Sequence, residues 1–323
     1  MTLRGLVSAL KVALWPLWRF RSLPRSEALS RVNAKINVSL CIALSLWSEY
    51  CGVDVDEIKR LRSYELVKLC LVWIRRLDAL IDTPAGRRAY VSAPASVKAN
   101  PVLQEVISEV VRWIICSDLP REKQRMLLSY LARLRHHVLF GPLREMLSAQ
   151  LSGNQNLKEL GPRIEQTSGM MYRSFAGILN RIHDVPAEIG DRVEQLFCTW
   201  MVAVQVADDL LDFPLDYHND DVSFVTAALR SNPAEELHLH TFLSKGHKLT
   251  SQWIKRNAPE SHSQVLALAQ EYLARAQSIE PSSPVVQEIL VSTKVALHLA
   301  TDLSPVTSTL IAIMRIWNRW IAK

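Results

Sequence analysis

Two short acidic clusters hold the residues best suited to chemistry, Asp78-Ala79-Leu80-Ile81-Asp82 and Asp208-Asp209-Leu210-Leu211-Asp212. In each, carboxylates recur at i and i+4, so a helix would set them on one face. Two such faces turned toward one another would make an oxygen-lined cage. A cage of this kind suits Mg2+, a hard cation usually held by one or two carboxylates together with the phosphate oxygens of its substrate. The pattern implies chemistry on a diphosphate.

The second cluster closes a continuously apolar run that starts at Trp200. A helix apolar all round is a buried one, and acids at its edge need a cation or basic partners. If Pro214 ends that helix, three carboxylates also oppose its dipole, which a bound metal would relieve. The first cluster follows Trp73-Ile74-Arg75-Arg76-Leu77 and precedes Arg87-Arg88. Arg75 or Arg76 would pair with Asp78 as an ordinary surface ion pair. Arg87 and Arg88 suit bidentate recognition of a diphosphate, with a plain surface loop as the alternative.

The elements that must position these groups read as helices. The chain has 323 residues, 49% of them hydrophobic, and only ten glycines. Good helix formers dominate, and strand-like alternation is scarce. The periodicity predicts helices over 26–50, 64–81, 102–117, 121–138 and 142–151. It predicts a kinked helix over 156–182, broken at Gly161-Pro162, and a long one from Pro186 to about Phe213. Further helices are expected at 223–230, 233–257, 260–277, 284–300 and 305–322, with 214–222 as an acidic loop. The expectation is a basic amphipathic segment at 1–25 and a single all-α domain over 26–323.

Five scattered cysteines without C-x-x-C spacing fit buried thiols in a reducing compartment. A net charge of +6 suits an anionic substrate or an anionic membrane surface, but no nucleic-acid motif accompanies it. No run of about 18 apolar residues occurs. The expected location is cytoplasmic, with peripheral membrane contact through the N-terminal segment or the amphipathic 313–323 stretch. His136-His137 reads as surface or packing, because adjacent helical side chains diverge.

These residues resemble the class I isoprenoid synthase superfamily over roughly residues 64–230. In its polyprenyl diphosphate synthases the first motif is D-D-x-x-D, then four residues and R-R. Asp78 to Arg88 keeps that spacing, with Ala79 in place of the second acid. The second motif, F-Q-x-x-D-D-x-x-D, is matched from Val204-Gln205 to Asp212 except at its first position. Gln166-Thr167-Ser168-Gly169-Met170-Met171-Tyr172 is similar to the family's K-T-G-x-L-F stretch. Arg75-Arg76-Leu77-Asp78 also resembles the first motif of squalene and phytoene synthases, although their G-R-x-Y-x-P element is missing.

The resemblance implies an all-α isoprenoid synthase bundle around a central apolar cavity, and a prenyl diphosphate substrate. It implies Mg2+ held by Asp78, Asp82, Asp208 and Asp212, with Asp209 also in the catalytic set. Arg87, Arg88, Gln205, Tyr172 and Arg173 would contact substrate. Trp73, Tyr172, Phe175 and Trp200 are candidates to face a carbocation, or plain core residues. A homodimer is a family expectation.

The departures bear on the reaction. The G-K-x-x-R-P element that binds isopentenyl diphosphate is absent, and Asp216 to Asp221 stands where a lysine motif follows the second cluster. Loss of the acceptor site with retention of the ionising site implies a terpene synthase on a prenyltransferase-like scaffold. The metal motif N-D-x-x-S-x-x-x-E of terpene synthases is nearly matched by Asn219 to Ser223, but Ala227 replaces the Glu and the placement is wrong, so the match reads as coincidence. The alternatives are a prenyltransferase, head-to-head or chain-elongating, and a non-catalytic homologue that binds partners.

Overall fold

A computed structural model describes residues 34–153 and 156–301, apart from the side chains of 34–42, 299 and 301. The 1–25 segment and the expected 305–322 helix lie outside the described residues. Among the described residues there is no strand. The all-α expectation holds. The chain divides into two compact units, one comprising 34–152 and 173–194, the other 153, 156–172 and 195–301.

The first unit opens with α1 (Ala34–Cys51), α2 (Val55–Arg60) and α3 (Ser63–Ile81). Short helices α4 (Pro84–Ser92) and α5 (Pro94–Lys98) follow, then α6 (Pro101–Cys116) and α7 (Arg121–Arg133). A π-helical turn, Leu134–Phe140, joins α7 to α8 (Gly141–Leu151). Helix α3 packs along α6 and under α1. Leu66 and Leu77 of α3 and Leu103 and Ile114 of α6 are almost wholly shielded from water.

Local chemistry sets these boundaries. Thr83 ends α3 and starts α4, its Oγ1 accepting the Gly86 N–H at 3.0 Å, with Pro84 in the first helical position. A Cβ on Gly86 would run into the Leu80 carbonyl, so only glycine allows so sharp a junction. Proline likewise opens α5 and α6, so much of the stretch between the helices expected at 64–81 and 102–117 is itself helical.

The second unit contains α9 (Leu157–Ile164), a π-turn at Glu165–Gly169 and the start of α10 (Met170–Ile182). It continues with the later part of α11 (Ala187–His218), then α12 (Phe224–Arg230) and α13 (Pro233–Ser244). The last described helices are α14 (Gln252–Asn257), α15 (Pro259–Ile279) and α16 (Pro284–Thr301). The break expected at Gly161-Pro162 becomes the π-turn one turn later. The single helix expected over 233–257 is two, because Gly246 takes a left-handed φ of 77°.

Pro214 does not end α11. The helix runs through it to His218, at the cost of one backbone hydrogen bond, since proline has no N–H to give the Leu210 carbonyl. The stop is instead Asp220, at a left-handed φ of 56°. There the Asp221 N–H bonds the Asp216 carbonyl at 2.7 Å and the Asp220 N–H bonds the Tyr217 carbonyl at 3.3 Å. This is a Schellman closure. Ser223 then caps α12 in a reciprocal box with Thr226. The Asn219 to Ser223 stretch that nearly matches a metal motif is thus the helix stop and the next helix start.

Candidate active site

In the first unit, Asp78 lies one turn from the C-terminus of α3 and Asp82 is its C-terminal cap. Arg75 Nη1 stands 3.6 Å from Asp78 Oδ2. Burial pushes the Asp78 carboxyl up to about 6, Arg75 opposes this, and the Asp82 charge adds to it. Two acids at the negative end of a helix dipole favour a cation beside them. Just beyond, on α4, Arg87 is buried and Arg88 is exposed, so the pair splits between two environments.

Below Asp78 on the same face are Ile74 and Cys70, one and two turns back. Both line a cavity of about 160 Å3 with Trp73, Val110, Leu131 and Leu139. The π-helical turn supplies part of its wall, and such turns concentrate at functional sites. The lining is apolar except for Arg135 and the Trp73 indole N–H, which is buried without a partner.

In the second unit, α11 carries Asp208, Asp212 and Asp216 at i, i+4 and i+8. Asp208 and Asp216 are part-buried and Asp212 is exposed. Burial pushes the Asp216 carboxyl up to about 7; a Ser223 hydrogen bond opposes the rise, while Asp212, Asp221 and Asp208 reinforce it. Sequence reasoning missed Asp216, because Pro214 read as the end of the helix. Its i+4 spacing from Asp212 was the available signal.

Asp209 points elsewhere. It is buried, with Oδ1 accepting the Gln205 amide at 2.7 Å and Oδ2 the Phe224 N–H at 2.7 Å. Burial pushes its carboxyl up to about 8 against those two hydrogen bonds. Asp209 therefore fixes the N-terminus of α12 to α11, and Gln205 orients Asp209.

The remaining candidates have structural partners. Arg173 Nε lies 3.6 Å from Glu194 in the first unit, and Tyr172 is half-buried in the second. Gly169 packs so tightly that a Cβ there would come within 2.7 Å of the Cys198 carbonyl oxygen. Trp200 donates to Thr293 Oγ1 at 2.8 Å and is buried, and Phe175 is buried too. His136 and His137 are exposed, their rings edge-on at 4.8 Å.

One further arrangement has the connectivity of a hydrolase triad. Ser63 Oγ lies 2.8 Å from His183 Nε2, and His183 Nδ1 lies 3.3 Å from Glu57 Oε1. Ser63 is 0% exposed, so no substrate reaches its hydroxyl. The three residues join α2, α3 and the end of α10, with Trp47 packed on the imidazole at 5.2 Å.

Among the described residues no three His, Cys, Asp or Glu side chains converge as a metal-holding group. The donors fit Mg2+ in its usual manner nonetheless. Each stripe offers hard carboxylate oxygens but too few for a closed cage, so an ion held there would take its other oxygens from a phosphate. Asp208, Asp212 and Asp216 lie close enough for Asp208 and Asp212 to push the Asp216 carboxyl up.

No protein-family model and no curated protein matches the chain. Among solved structures, a geranylgeranyl pyrophosphate synthetase from the archaeon Geoglobus acetivorans aligns with 92% of this chain and 99% of its own, with a TM-score of 0.56 at 13% identity. The likeness is one of fold. The chain has the all-α isoprenoid synthase fold of that protein.

Proposed function

We propose that the protein is a Mg2+-dependent class I terpene synthase that ionises one allylic prenyl diphosphate. The observation that carries this reading is on α3, where Asp78 and the apolar cavity wall at Ile74 and Cys70 share one helix face. A diphosphate held at the carboxylate end would lead its hydrocarbon tail down the same face. Asp78 and Asp82 of the first unit, and Asp208, Asp212 and Asp216 of the second, are the carboxylates proposed to hold Mg2+. Bound there, Mg2+ supplies the positive charge that stabilises the leaving diphosphate.

The C–O bond would break with its electron pair going to the diphosphate, leaving an allylic cation in the cavity. The apolar lining excludes water and lets the cation cyclise or lose a proton before it is quenched. Trp73 is the aromatic residue suited to face the cation. Arg87 and Arg88 are proposed diphosphate contacts. Asp209 and Gln205 act as positioning residues.

A second reading, a prenyltransferase, is favoured by the fold neighbour's being a prenyl diphosphate synthase. The test is incubation of the full chain with Mg2+ and geranyl, farnesyl, geranylgeranyl or geranylfarnesyl diphosphate, alone and with isopentenyl diphosphate, read by mass spectrometry. A hydrocarbon or alcohol from one substrate, absent with EDTA and in Asp212→Asn, supports the synthase. Product only with a second isoprenoid diphosphate assigns the prenyltransferase. No turnover in any combination overturns both.

A further inference from the structure

A second cavity lies in the second unit, among α14, α15 and α16, which pack on one another pairwise. It measures about 580 Å3, within the usual range for small-molecule sites. Its lining separates by chemistry. Lys255, Lys294, His262 and His298 bring cationic or proton-donating heads, and Gln270 and Gln277 bring amides. Leu266, Leu273 and Leu297 supply an apolar wall, and among the described residues no carboxylate lines it.

The spacing explains the grouping. His262, Leu266, Gln270, Leu273 and Gln277 recur at three and four residues along α15, and Lys294, Leu297 and His298 do the same on α16. The cavity therefore sits in the seam between two amphipathic faces, closed at one side by Lys255 of α14. His262 Nε2 is shut from solvent without a hydrogen-bond partner. Burial and the nearby Lys255 charge hold this imidazole below its usual range. The polar heads on the two neighbouring helices, Lys255 of α14 and Lys294 of α16, are therefore the ones that can meet an anionic ligand in the cavity.

We infer that this cavity binds an organic phosphate ester, with its anionic head at Lys255 and Lys294 and a short apolar tail against Leu266, Leu273 and Leu297. Lysine is well suited to phosphate as a compact point charge. The leucines set the ligand apart from a bare anion, which would gain nothing from them. Such an ester has two sources, an isoprenoid diphosphate or a straight-chain alkyl phosphate of lipid type. The inference goes beyond the proposed reaction and does not rest on it, since it involves neither acidic stripe.

The test is calorimetric titration of the full chain in EDTA, which removes cation-dependent binding at the acidic stripes. The probes are inorganic diphosphate, octyl phosphate and geranyl diphosphate. The expected result is saturable binding of at least one ester at one per chain, about tenfold or more tighter than inorganic diphosphate. Lys255→Ala with Lys294→Ala should weaken it by about tenfold or more, and Asp208→Asn with Asp212→Asn should leave it unchanged. Both lysines are exposed, so their loss should not disturb the fold, and a thermal melt verifies this. Leu266→Gln should reduce ester affinity toward that of inorganic diphosphate. Preference for geranyl diphosphate assigns the isoprenoid source, and equal or tighter octyl phosphate binding the lipid source. No saturable binding, or binding indifferent to the lysine pair, overturns the inference.

Discussion

Gln205 and Asp209, one helical turn apart on α11, are joined by a 2.7 Å hydrogen bond from the Gln205 amide to Asp209 Oδ1. The other oxygen of Asp209 accepts the Phe224 N–H, so this acid holds the first turn of α12. Adjacent acids in one motif thus have different jobs. Asp209→Ala should cost about 1–3 kcal/mol of folding stability by leaving the Phe224 N–H buried and unpaired. Asp212→Asn, at an exposed position, should stay within about 0.5 kcal/mol of the parent. Urea unfolding in EDTA measures both, and equal losses would sink the division of labour.

Asp216 extends the acidic face by one turn. Asp216→Asn should raise the Mg2+ concentration needed for half-maximal turnover by about tenfold, while leaving the far-UV helical signal intact. An unchanged Mg2+ response would limit the working stripe to Asp208 and Asp212.

Ile74 links the first acidic cluster to the cavity beneath it. Ile74→Ala should cost about 2–5 kcal/mol and shift preference toward a longer prenyl diphosphate. Ile74→Trp should shift it toward a shorter one by filling the space. Product profiles across the four substrates test this, and profiles that stay fixed would remove the cavity from the reaction.

His183 gives stability a pH dependence. Burial lowers its pKa below the ordinary 6.5, against the opposing pull of Glu57. The folded state thus favours the neutral ring. Its contribution should be fully present above about pH 6.5 and be lost as the pH falls through the lowered folded value. Urea midpoints at pH 7.5 and 5.0 should differ more in the parent than in His183→Gln. Ser63→Ala should leave catalysis intact, since Ser63 is sealed from substrate.

Gly169 tests the close approach of the π-turn to α11. Gly169→Ala should destabilise by about 1–3 kcal/mol, because the new methyl would meet the Cys198 carbonyl oxygen. A thermal melt at the parent temperature would contradict that packing.

The sequence by itself determined the helical class, the helices of both acidic clusters and the i, i+4 pairing of their carboxylates. These follow from local periodicity and from prolines and caps acting within a few residues, as at Thr83-Pro84. It misread Pro214, because a proline removes only one hydrogen bond and tertiary packing decides whether a helix survives that loss. The tertiary structure alone separated Asp209 from Asp208 and Asp212, since the Phe224 N–H comes from another helix. It alone set Ile74 and Cys70 around a cavity beneath Asp78, and gathered Lys255, His262 and Lys294 from three helices. Contacts between residues far apart in the chain depend on how helix faces pack, which no local spacing encodes.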